Sequence, residues 1–411
     1  MNAFKPLAIA ASLACCLLPP AFADVITDWN ITVLKAGTAA RQTPVGQTPA
    51  VQARNMAMVH LAMFDALNSI EPRYTPYRVQ LQVPSNTSRE AAASAAAHYL
   101  IVRLYPAQSK DADAALAAAL AKVPEGAAKA QGLQLGEKIA TGLFEERSTD
   151  GANAPDSYRP HGAAGVYVPT ILTASWHWGS IKPFAMTAGN QFRPDPPYAL
   201  SSAQWAKDFN EVKTMGAKTG SARTPEQTDI AKFWEQTGAD SFNQIVQQVA
   251  EAKKLSLMEN ARLYAQAYLA TADAFIAIFD AKYVYNFWRP LTAIRNGDVD
   301  GNDATARDAA WSPLISTPMH PEYPCAHCIA QSSAATVLNA YFGDDVPTVT
   351  LTSPTAPGVT RSFSRLSDYK AEIINARIYD GVHYRLSGEV GVEMGRKIGE
   401  HVMQNYLKPL R

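Results

Sequence analysis

The chain has 411 residues, with 37 basic against 37 acidic side chains, 47% hydrophobic and 18% charged. That composition excludes a disordered or collagen-like chain, and the even charge balance gives no footprint for nucleic acid or an anionic membrane surface as partner. What remains is a globular protein long enough to bury a sizeable core.

Residues 1–23 read as a secretory signal peptide. Lys5 supplies the basic start, Leu7 to Leu18 a short apolar run, and Ala21-Phe22-Ala23 a small-x-small cleavage site. The run is too short to span a bilayer. Cleavage would leave Asp24 as the N-terminus and export the protein to the periplasm or the medium. It would also remove Cys15 and Cys16, leaving Cys325 and Cys328 spaced C-x-x-C. In an exported chain such a pair can form a disulfide or remain as two thiols. Without a second pair, a four-cysteine zinc site is excluded.

Helical periodicity dominates the rest. Arg54 to Leu67, Ala91 to Leu104, Asp111 to Lys122 and Ala127 to Arg147 carry apolar residues at helical spacing. Residues 151–201 are rich in Pro, Gly and aromatics. They read as an ordered excursion because they include Trp176 and Trp178, which pack far more often than they bind. Thr224-Pro225-Glu226-Gln227 is a capping box with proline at the first helical position, opening a helix to about Trp234. Ser256 to Trp288 predicts one long helix or two. Asp298-Val299-Asp300-Gly301-Asn302-Asp303 has acidic spacing but lacks Gly at the sixth position and Glu at the twelfth, so it reads as a turn and not an EF-hand. Ile329 to Tyr341 predicts a helix closed by Gly343. Val346 to Leu351 is the best strand. Asp368 to Tyr379 and Gly388 to Tyr406 complete the helices. No segment after residue 23 has 18 uninterrupted apolar residues, so no membrane span is expected. The prediction is one large all-α helical-bundle domain over 24–411, with few or no strands and its motif-bearing core at about 256–406.

Three clusters carry chemistry. Lys282 and Arg289 lie two helical turns apart, on one face, and Pro290 sets Arg289 near a helix end. Alone, they would be a solvated basic face. Pro324-Cys325-Ala326-His327 directly precedes a helix, where free N–H groups and positive potential suit an oxyanion and His327 can supply a proton. In the third cluster, Arg377 offers a planar fork, His383 a nucleophilic or ligating nitrogen, and Gly381 a turn between them. His60, His98, His161, His177 and His401 have no partner spacing, and core or surface roles are expected for them.

Together and in this order, the clusters resemble the superfamily of vanadium-dependent haloperoxidases and type 2 phosphatidic-acid-phosphatase-like acid phosphatases. The pattern K-x6-RP, PSGH, R-x5-H appears as Lys282/Arg289/Pro290, Pro324-x-x-His327 and Arg377/His383. The flanking runs FWRPLTAIR, EYPCAH and ARIYDGVHYR are haloperoxidase-like, and RNMAMVHLAMFDALN is similar to the bacterial exported branch. The resemblance implies that Lys282, Arg289 and Arg377, with N–H groups near Cys325 and Ala326, neutralise the oxygens of vanadate or phosphate. It implies that His327 is the acid–base group and that His383 bonds axially, to vanadium or to phosphorus. Phe279 and His320 are expected just behind these contacts, His320 where a haloperoxidase places a halide-pocket residue.

Three departures stand out. Cys325 replaces the serine, Ala326 the glycine, and Ser387 stands four after His383, where an acidic residue often lies. Three functions follow from the resemblance. The first is a vanadate-dependent haloperoxidase taking peroxide and halide. The second is an acid phosphatase with a phosphohistidine at His383, taking a phosphate ester. The third is a non-catalytic oxyanion binder with a degenerate site. A Cys325 thiol near Lys and Arg at a helix N-terminus would be partly thiolate, and peroxide chemistry would oxidise it. A Cys325–Cys328 disulfide is therefore expected with the first function, and two reduced, buried cysteines with the others.

Overall fold

The computed structural model describes residues 24–43, 47–155, 157–169 and 171–410. The signal-peptide reading lies outside the described residues. The chain forms α1 (Val25–Arg41), α2 (Pro49–Ile70), α3 (Arg89–Leu104), α4 (Ser109–Leu120) and α5 (Ala127–Arg147), followed by a long aromatic excursion. It continues with α6 (Ala203–Met215), α7 (Pro225–Phe233), α8 (Asp240–Lys253), α9 (Leu257–Tyr285), α10 (Pro290–Arg295) and α11 (Ala326–Phe342). The antiparallel hairpin β1 (Asp345–Thr352) and β2 (Thr360–Arg365), then α12 (Leu366–Tyr379) and α13 (Arg385–Asn405), close the chain. The fold is an all-α helical bundle with one hairpin.

Local chemistry sets many of the boundaries. Thr224 and Gln227 close a capping box at α7, and Ser256 and Glu259 do the same at α9. The region expected to hold one helix or two is a single helix of 29 residues, because nothing inside it is Gly or Pro. It ends where Asn286 turns left-handed, with φ 47°. Four helices were not expected: α1, α6, α8 and α10. In α1 the β-branched Ile26, Thr27, Ile31, Thr32 and Val33 weaken intrinsic helicity, and packing against α2 decides the outcome. The second strand was also unexpected. Only Phe363 of β2 is buried, opposite Val349 of the strand that was expected.

Two helices, α2 and α9, form the centre. Both are buried on nearly every face and pack on each other, and α11 and α13 pack against α9. The approach of α13 to α11 depends on small residues. A Cβ at Gly391 would lie 2.7 Å from the Cys325 carbonyl oxygen, and one at Gly395 2.5 Å from that of Ile329. Close packing therefore fixes the N-terminal end of α11 against α13. The excursion is anchored to α9 by buried Asp273, which accepts the N–H groups of Phe184, Ala185 and Met186 at 2.7 Å each. Asp300 accepts from Trp205 Nε1 at 2.9 Å and from Thr305, so the acidic loop is a hydrogen-bonded turn. Among the described residues, no group of His, Cys, Asp and Glu is arranged to hold a metal by itself, and no helix is long and apolar enough to cross a membrane.

Candidate active site

The site is assembled from four chain segments. The last turns of α9 carry Phe279 and Lys282. Arg289 is the extended residue before Pro290, which the following proline ring favours. The segment His320 to Cys325 leads into α11 and supplies Glu322. The end of α12 carries Arg377, and Gly381 then turns the chain with φ +83°. A Cβ there would sit 2.5 Å from the Gly216 carbonyl oxygen, so the turn needs glycine for both conformation and space. His383 follows, its N–H bonded to the Arg377 carbonyl at 3.1 Å.

A cavity of about 550 Å³ is lined by Phe279, His320, Ala326, His327, Arg377 and His383, among others. Ile171 and Met319 mark its more exposed side. Of the residues singled out from sequence, these six reach the cavity wall. Lys282, Arg289, Cys325 and Ser387 do not; they bond to groups in or next to that wall.

Hydrogen bonding defines the state of each group. His383 Nδ1 lies 2.7 Å from Glu322 Oε1, and Arg289 Nη1 approaches His383 Nε2 at 3.3 Å. Arginine only donates, so Nε2 must accept, and the ring proton sits on Nδ1 facing the carboxylate. By the same logic His320 Nδ1 accepts from Arg289 Nη2 at 3.0 Å. Arg289 also donates to the carbonyls of His320 and Val382, at 2.9 and 2.8 Å. Lys282 spends two of its three N–H groups on the carbonyls of Pro321 and Glu322, at 2.9 and 2.8 Å. It thereby fixes the segment that carries Glu322.

Arg377 donates from Nη1 to the Trp234 carbonyl at 3.0 Å and lies 2.7 Å from Asp380 Oδ2. Among the described residues its buried Nε has no hydrogen-bond partner. His327 Nε2 donates to the Gln236 carbonyl at 3.0 Å. Cys325 is the N-cap of α11; it is joined to Cys328 by a disulfide, and its N–H donates to the Ser387 carbonyl at 3.0 Å. The hairpin and α7 stand outside this arrangement.

Burial dominates the electrostatics. It holds His383 well below its ordinary pKa, helped by Arg289 and Lys282, and does the same to His327, helped by Arg377. Lys282 is also pushed well down, by burial and then by Arg289, and Arg289 falls to about 10 for the same first reason. Burial lifts Glu322 to about 7 against the pull of Arg289 and Lys282, and Asp380 to about 7 against Arg377. Three buried basic side chains thus face two carboxylates that are themselves reluctant to ionise. A bound dianion would relieve that imbalance.

Glu322 and Asp380 were not anticipated. Glu322 stands inside the quoted run EYPCAH, but only folding shows that its carboxylate reaches a histidine 61 positions on. Asp380 is three residues after Arg377, a spacing that on a helix end brings the two together. Of the two, only Asp380 carried a local signal, its spacing from Arg377.

A family model described as the VCPO second helical-bundle domain matches residues 262–411. A vanadium chloroperoxidase of Curvularia inaequalis is 24% identical over 386 residues, covering 73% of this chain and 62% of that protein. The chain thus spans less than two thirds of that relative's length. The crystal structure of a bacterial vanadium-dependent iodoperoxidase aligns with TM-score 0.78 and 25% identity, over 94% of this chain and 98% of that one. A holo-type bacterial vanadium-dependent chloroperoxidase shares the fold, with TM-score 0.68 and 19% identity over 90% and 95% of the two chains. Motifs, family model and fold all support a likeness to the vanadium haloperoxidase superfamily.

Proposed function

We propose that the chain is an exported, vanadate-dependent haloperoxidase that uses peroxide to oxidise a halide. The observation that carries this reading is His383 Nε2, a buried and unprotonated nitrogen at the wall of a cavity where Arg377 keeps an unpaired N–H. An unprotonated imidazole nitrogen, met only by an arginine N–H at 3.3 Å, beside an unspent cationic donor is the donor set an oxyanion bonded to nitrogen requires.

The residues present fit vanadate. His383 would hold the group through Nε2, and Arg377 and Arg289 would offset its charge. The first N–H groups of α11, near Ala326, would add neutral donors. Bound vanadate supplies Lewis-acid activation of peroxide, which no side chain here offers. The chain's own part is to bind, orient and move protons. His327, neutral because it is buried among cations, can take the proton from incoming peroxide at its Nδ1 and return it to the leaving oxygen. His320 and Phe279 pack edge to face, 5.4 Å between ring centres, in the same wall. They are the side chains against which a halide would settle. The Cys325–Cys328 disulfide suits this chemistry, since a bridged sulfur is spared the oxidation that a thiolate would meet.

Apo protein loaded with vanadate should oxidise iodide, bromide or chloride with peroxide and show no phosphatase turnover without vanadate. Phosphate-ester hydrolysis by the vanadate-free protein would establish the phosphatase instead. Tight vanadate binding with neither activity would establish a binder. Export is tested by the N-terminus of the protein recovered outside the cytoplasm, expected at Asp24.

A further inference from the structure

We propose that Glu322 is the positioning residue for His383, doing from the segment before α11 what an acidic residue at position 387 would do from α13. The inference rests on the oxyanion-site reading above and adds the device that sets the nitrogen by which His383 would hold the group.

Three observations carry it. Glu322 Oε1 is the nearest acceptor to His383 Nδ1, at 2.7 Å, whereas Ser387 Oγ lies at 3.2 Å. The same Oε1 accepts the Tyr384 N–H at 3.1 Å, so the carboxylate grips both ring and backbone at the turn into α13. Lys282 fixes Glu322 from behind through the carbonyls of Pro321 and Glu322 itself. Glu322 is fully buried, and a buried carboxylate so placed holds the imidazole proton on Nδ1 and leaves the Nε2 lone pair toward the cavity. Without it, the ring can rotate, or adopt the Nε2–H tautomer, which cannot bond an oxyanion. A hydroxyl at position 387 donates or accepts equally well and selects neither tautomer.

The test uses the full-length mature protein. Glu322→Ala, Glu322→Gln and the pair Glu322→Ala/Ser387→Asp are checked for native circular dichroism. They are then compared by equilibrium dialysis with inorganic vanadate and by nitrogen-15 spectra of His383 in apo protein. Wild type should show a protonated Nδ1 and a bare Nε2. Glu322→Ala should bind vanadate about 10–100-fold more weakly, with mixed tautomers. The carboxylate introduced by Ser387→Asp should restore both the tautomer and most of the affinity. Should Glu322→Ala fail to fold, the isosteric Glu322→Gln carries the test, with a loss of about tenfold expected. Wild-type affinity and an unchanged tautomer in every folded Glu322 variant would overturn the proposal, as would a Ser387→Asp substitution that restores nothing. The tautomer readout needs no vanadate, so a protein that never turns over halide would sink the haloperoxidase reading and leave this one standing.

Discussion

Two histidines without solvent contact stand at opposite ends of the bundle's logic. His60 lies in α2, stacked against Tyr264 and Tyr268 of α9 at 5.1 and 4.8 Å, with Asn30 Nδ2 3.0 Å from its Nε2. His383 lies at the turn into α13, among Arg289, Lys282, Arg377 and Glu322. Both are 1% exposed and both are held neutral. At His60 burial alone lowers the pKa, to about 3, and the neighbours are rings and amides. At His383 three cations add to burial, and the nitrogen turned away from the carboxylate borders a cavity. Burial is shared between them. What separates the two is the charge gathered around His383.

That contrast can be broken in several ways. The largest effect expected is at His327, where replacement by Ala should cut turnover by about 10²–10⁴-fold while vanadate affinity falls far less, as steady-state kinetics and dialysis would show. Equal losses in both would make His327 a binding residue. Arg377→Ala removes a fork whose Nε is unspent, and vanadate affinity should drop by roughly 10–100-fold, the worth of one charge-assisted hydrogen bond. An unchanged affinity would show that the unpaired donor does not face the anion.

His60 supplies the opposite case. Its folded pKa, about 3, lies below its unfolded value near 6.5, so the unfolded chain binds the extra proton. Its contribution is therefore complete above pH 6.5 and is lost as pH falls toward 3, on the order of 5 kcal/mol across that window. His60→Phe should flatten this part of the acid limb in urea titrations without altering vanadate affinity. A variant as acid-sensitive as wild type would remove His60 from the account. The smallest effect concerns the bridge ahead of α11. Cys325→Ser should lower stability by about 2 kcal/mol, as closure of so short a loop allows, and two thiols titrated in unreduced wild-type protein would contradict the bridge.

The legible part of this molecule was the part with local causes. The capping box at Thr224 and the closing Gly343 announced helix ends, and the three motifs, each of fixed spacing, announced side chains that the fold gathers around one cavity. Helix α1 was hidden because its β-branched residues argue against a helix and only packing on α2 overrules them. Strand β2 was hidden because a single buried Phe leaves no alternation to read. Glu322 was hidden for a different reason. Its partner is remote in sequence, and expectation had settled on position 387, the local neighbour of His383. Lys282 and Arg289 were expected on one helical face, but α9 ends at Tyr285 and Arg289 is extended, so their meeting, like the grip of Lys282 on two carbonyls, needed the fold.

The central claim is that His383 Nε2 is the point of attachment for an oxyanion. It is tested most directly by titrating inorganic vanadate into wild type, His60→Phe and His383→Ala, each shown to be folded. One saturable site per chain is expected in the first two, and at least ~100-fold weaker binding in His383→Ala. Wild-type affinity in His383→Ala would contradict it.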